Sequence, residues 1–106
     1  MLRFPLRVSS PPSKQSRPVY RVRVARRADR GLRAVRLGDP SGYKRLTAAI
    51  RALADDPRPV GSTKLTGVDP PAWRVRVGNY RIVYEIDDSQ VLVVVVNVAP
   101  RGEVYK

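Results

Sequence analysis

The sequence predicts an α+β domain in which an N-terminal strand precedes an antiparallel helical hairpin, and the hairpin packs on one face of a small, mainly antiparallel four-stranded sheet. Three observations carry this. Residues 26–37 and 40–53 place apolar side chains at helical spacing with only a short link between them. The stretches 73–77, 80–86 and 91–98 are rich in β-branched and aromatic residues, as strands are. Between the first two of these stand only Gly78 and Asn79, the two-residue link of a tight hairpin.

Taken in order, residues 1–18 hold four prolines and four serines and too little apolar surface to offset the entropy of ordering them. They are expected to be a disordered extension, and the domain to span residues 19–106. In "VYRVRVA", Val22 and Val24 fall on one face of a strand and Arg21 and Arg23 on the other. Ala28, Leu32 and Val35 form the apolar stripe of the first helix, and Gly38 stands where a left-handed C-terminal cap is expected. Asp39 and Pro40 then supply the N-cap and first position of a second helix, whose stripe is Tyr43, Leu46, Ala49, Ile50 and Leu53. Pro57 closes it. Residues 57–72 read as a Pro/Gly-rich loop leading into the three later strands.

Composition narrows the chemistry. The 106 residues contain no cysteine and no histidine, which removes thiolate catalysis, disulfides and the commonest metal ligand and general base. No metal or other cofactor is expected. Lysine and arginine outnumber the acids 21 to 9, a net charge of +12, which predicts a polyanionic or acidic partner. The longest apolar run, "VLVVVVNV", is far short of the roughly 18 residues of a membrane helix, so no membrane partner and a cytoplasmic location are expected. The basic, acid-free N-terminus also fits an organellar transit peptide, a minor alternative.

The hairpin concentrates this charge. Pairing across Gly78–Asn79 sets Val77 against Tyr80, Arg76 against Arg81, Val75 against Ile82 and Arg74 against Val83. Trp73, Val75, Val77, Tyr80, Ile82, Tyr84 and Ile86 then share the core face, and Arg74, Arg76, Arg81 and Glu85 the other. Opposed arginines repel, so an anion between them is the natural complement, and removal of Arg81 is expected to leave the fold intact or slightly more stable. Arg101 and Tyr105 follow just beyond the last strand, and guanidinium forks with an aromatic at the rim suit phosphate and base recognition.

"GSTKLTG", "WRVRVGNYRIVYEIDD" and "RGEVY", in this order behind a helical hairpin, resemble the RelE branch of the RelE/ParE toxin superfamily over Val19 to Lys106. The resemblance implies a ribosome-dependent messenger-RNA endonuclease, the toxin of a type II toxin–antitoxin pair, whose partners are an acidic antitoxin, the ribosome and mRNA. It implies Arg76, Arg81, Arg101 and Tyr105 as catalytic residues and Arg74 as a substrate-positioning residue. Lys64 is a candidate contact to RNA. The implied reaction is attack of a ribose 2′-OH on the adjacent phosphodiester. Relatives carry lysines on the second sheet strand, or a histidine where this chain has Pro100, so the general base is left between Glu85, which reads first as an ion-pair partner of Arg76 or Arg81, and Tyr105. Val19 occupies the place of the family's initiating methionine, so a start of translation there is the alternative to a disordered extension. Two alternatives stay open: a ParE-like gyrase inhibitor, and a noncatalytic RNA-binding module on the same fold.

Overall fold

The computed structural model describes residues 18–100. Its elements in chain order are β1 (Arg21–Val24), α1 (Arg26–Gly38), α2 (Pro40–Ala52), β2 (Thr63–Lys64), β3 (Ala72–Val77), β4 (Tyr80–Asp87) and β5 (Leu92–Pro100). The strands form one five-stranded sheet in the order β1-β5-β4-β3-β2. β1 runs parallel to β5, and every other pairing is antiparallel. The sheet thus exceeds the expected four strands by β2, a two-residue strand within the segment read as loop. So short a strand offers no alternation to detect. The extension expected at the N-terminus lies outside the described residues except for Pro18.

The hairpin forms because Gly78 reaches φ +58 at the first turn position, where a Cβ would be disfavoured, while Asn79 needs no positive φ. The register is the expected one, with Arg76 opposite Arg81 and Val77 opposite Tyr80. On β5 the pairing shifts between Val83 and Tyr84, whose partners are Asn97 and Val95, so Val96 is the extra residue of a bulge. The bulge lets Val93, Val95 and Val98 all reach the core despite the uneven spacing between them.

That core is the layer between the sheet and the helices. Ala28, Leu32 and Val35 of α1 and Leu46 and Ile50 of α2 meet Ile82, Tyr84, Val93, Val95 and Val98. Full burial of such side chains contributes about 1.5–3 kcal/mol each, before the entropy of ordering them is subtracted. Gly31 lets α1 lie against β5, because a Cβ there would overlap the Val98 carbonyl oxygen. The expected cap at Gly38 is not found. Gly38 is the last residue of α1 without a positive φ, and the Asp39 N–H donates to the Val35 carbonyl at 2.6 Å. With Pro40 opening α2 one residue later, a left-handed cap has no room between the helices. Among the described residues no helix is long and apolar enough to cross a membrane.

Candidate functional site

The helices cover one face of the sheet, and among the described residues no helix lies over the other. Register assigns to that second face Arg21 and Arg23 of β1, Arg74 and Arg76 of β3 and Arg81 of β4. Arg76 is exposed and Arg74 half-buried, but Arg81 is only 4 % exposed, with Nε and Nη1 closed off from solvent. Alternation placed Arg81 on this face without revealing its burial. Arg81 lies on a central strand with Arg76 on one side and Ala99 on the other, and it does not lack a partner within the molecule. A guanidinium stays protonated wherever it is placed, so burial there fixes a positive charge in surroundings that screen it poorly.

The remaining candidates fall in different places. Glu85 shares the face away from the helices but lies opposite Ala72 and Val94, four residues from Arg81, about 13 Å along the strand. Its diagonal neighbour is Arg74, so the ion pair expected with Arg76 or Arg81 is replaced by proximity to a different arginine. Lys64 pairs with Trp73 and therefore lies on the helix side of the sheet, away from the arginines, while its neighbour Thr63 sits beside Arg74. Arg101 and Tyr105 lie outside the described residues. Arg21 and Arg23 share this face through the parallel pairing of β1 with β5, but opposite Leu92 and Val94 they stand level with Asp87 and Glu85, at the other end of the sheet from the Arg76–Arg81 rung.

Two polar clusters brace the sheet at opposite ends. Near the hairpin turn, the Tyr80 hydroxyl donates to Asp39 Oδ2 at 2.8 Å and the Gly42 N–H donates to Asp39 Oδ1 at 3.0 Å. These bonds, the backbone one foremost, hold the Asp39 carboxyl below its ordinary range, and the bond to Asp39 raises the Tyr80 phenol. At the far end, Arg58 grips Asp88 with Nη2 2.9 Å from Oδ2 and lies 5.1 Å from the Trp73 ring centre. Tyr20 donates to the same carboxylate at 2.6 Å. The Asp88 carboxyl is lowered first by Arg58 and then by Tyr20. Beneath this cluster the buried Tyr84 hydroxyl donates to the Pro57 carbonyl at 2.8 Å, and burial pushes its phenol up to about 12. Neither cluster was legible as such, because each joins residues distant in the chain.

The family model described as the ParE toxin of the type II toxin–antitoxin system parDE matches residues 22–105, most of the chain. The chain belongs to the RelE/ParE toxin superfamily. Solved structures of RelE/ParE toxins share its fold. RelE in the archaeal RelE–RelB complex of Pyrococcus horikoshii is 24 % identical, with a TM-score of 0.69 over 80 % of this chain and 98 % of that one. The RelBE2 toxin–antitoxin complex of Mycobacterium tuberculosis matches at 26 % identity and TM-score 0.66, covering 81 % of this chain and 95 % of that one. Isolated Escherichia coli RelE gives 29 % identity and TM-score 0.62, over 81 % and 90 % of the two chains. No curated protein sequence matches the toxin significantly.

Proposed function

We propose that this toxin is a RelE-branch mRNA endonuclease that acts on the ribosome and so arrests translation. The observation that carries the reading is the rung Arg76–Arg81, two opposed arginines at the end of the sheet face away from the helices, one of them fixed by burial. In the reaction, a ribose 2′-oxygen forms a bond to the adjacent phosphorus as the bond to the 5′-oxygen breaks. The products are a 2′,3′-cyclic phosphate and a 5′-hydroxyl end, and the proton lost by the 2′-OH balances the one gained by the leaving oxygen. Negative charge gathers on the phosphoryl oxygens in the transition state, and preorganised cations there are usually the largest catalytic contribution. Arg76, Arg81 and Arg101 take that role, Arg74 positions the backbone, and Tyr105 stacks on a nucleotide or orients the attacking hydroxyl. Glu85 is poorly placed as base, given its distance along β4 from Arg81.

The exposed Arg26, Arg27, Arg30 and Arg33 of α1 would contact ribosomal RNA phosphates, making binding strongly salt-dependent. An acidic antitoxin is the expected protein partner, a reading supported by the RelB complexes of the relatives and by the +12 charge. The site of action would be the cytoplasm. A second reading, inhibition of DNA gyrase, is favoured by the match to the ParE model. Purified protein added to a translation extract, with mRNA ends mapped by primer extension, and in parallel to a gyrase supercoiling reaction, separates the two. New mRNA ends that require ribosomes support the endonuclease, gyrase inhibition without cleavage supports the alternative, and RNA binding with neither effect leaves a noncatalytic module.

A further inference from the structure

We infer that Tyr80 and Asp39 are positioning residues for the arginine site, an inference that rests on the RNA-cleavage reading. Tyr80 occupies the rung between the Arg76–Arg81 pair and the Gly78 turn, and on its other side it pairs with Pro100 of β5. Arg81 is therefore the next residue after Tyr80. Whatever fixes the Tyr80 rung fixes the point from which Arg81 departs.

Packing against the core holds the ring on one side only. The Tyr80 ring borders an open groove of about 360 Å³, lined also by Gly31, Ala34, Asp39, Val98 and Pro100, into which the ring has room to move. The hydroxyl supplies the missing constraint by donating to Asp39 Oδ2. Asp39 is itself held twice over, its Oδ1 accepting from Gly42 and its own N–H bonded to the end of α1. The contact thus ties the arginine hairpin to both helices at their junction. Gly42 completes the fit, since a Cβ there would lie 2.8 Å from the Tyr80 ring and would overlap Asp39 Oδ2. Because reacting groups must be held closely, a displacement of about 1 Å at such a hairpin end can cost on the order of a hundredfold in rate.

The test uses Tyr80→Phe, which deletes only the hydroxyl, and Asp39→Ser, which keeps an N-cap acceptor for Gly42 but is too short to reach Tyr80. Both variants and the double variant are compared with the parent for mRNA cleavage, RNA affinity and amide hydrogen exchange. Each single change is expected to slow cleavage by about 10- to 100-fold with RNA affinity unaltered. Each should also speed exchange across residues 76–81 by roughly tenfold, and the double variant should be no worse than either single one. Unchanged hairpin exchange in both single variants overturns the inference, as do effects that add. If the parent itself cleaves no RNA, the endonuclease reading fails, and the exchange data still decide whether the contact fixes the hairpin.

Discussion

Replacing Arg76 with alanine should move stability and activity in opposite directions. Arg76 is exposed and faces the buried Arg81 directly across the hairpin. Like charges in that position destabilise a sheet by about 0.2–1 kcal/mol. Its removal should therefore leave the domain as stable as before or slightly more so, with each kcal/mol worth roughly 4–8 °C in melting temperature. At the site the sign reverses. Loss of one preorganised donor to a developing oxyanion costs about 10²–10³ in rate, roughly 2.7–4 kcal/mol. Arg81→Ala is expected to differ by lowering both quantities, since its buried contacts would lose a charged partner at a cost of about 1–3 kcal/mol. The burial of Arg81 thus reverses the stability change expected from the sequence. Melting curves by circular dichroism and primer-extension time courses in a translation extract measure the two effects separately. An Arg76→Ala protein that cleaves within about threefold of the parent, or that loses activity only in step with its melting temperature, refutes the reasoning.

Gly31→Ala should destabilise by about 1–3 kcal/mol, because its Cβ meets a backbone oxygen of β5 that cannot swing aside, and chemical denaturation will show whether it does. Tyr84→Phe leaves the Pro57 carbonyl without its buried donor, costing about 1–3 kcal/mol at neutral pH. Since the folded-state phenol is raised to about 12 from its ordinary 10.0, the parent keeps this stabilisation below pH 10 and loses it as pH rises towards 12, whereas the variant should lack that alkaline loss. In acid the sign is opposite. Asp39, Asp87 and Asp88 are all lowered, so their stabilisation is present above the ordinary carboxylate range and lost as pH falls through their folded values. Arg58→Met should lower neutral stability and flatten that acid limb, and parallel pH–stability curves for variant and parent would contradict it.

The hairpin was legible because its causes are local: a two-residue turn, strict alternation and a core face recognisable from seven apolar side chains. Helix α2 was legible for a similar reason, with Asp39 and Pro40 marking its start. Period-two alternation assigns Arg81 to a face, but it carries no information on what lies over that face, and so the burial of Arg81 was missed. The side of the sheet on which Lys64 falls was not legible, because a two-residue strand has no pattern of its own and only its pairing with Trp73 reveals it. Gly38 shows the converse error, since a residue suited to a left-handed cap adopts one only when the following chain leaves space. The Arg58–Asp88–Tyr20 cluster draws on three separate segments, and no spacing rule connects them.

The placement of β5 between β1 and β4 affects how the molecule comes into being. β1 is made first and finds its partner only when Leu92 joins Arg21, 92 − 21 = 71 residues later. At synthesis rates of about 5–20 residues per second, that is a wait of roughly 4–14 s. During it the arginine hairpin can already close, but β4 has an open edge, β1 is unpaired, and α1 lacks the strand it packs against. A chain stopped at Gln90 is accordingly expected to show no cooperative melting. The arginine rung therefore precedes its own scaffold in time, and the fold is expected to close abruptly as β5 emerges rather than in step with each added residue.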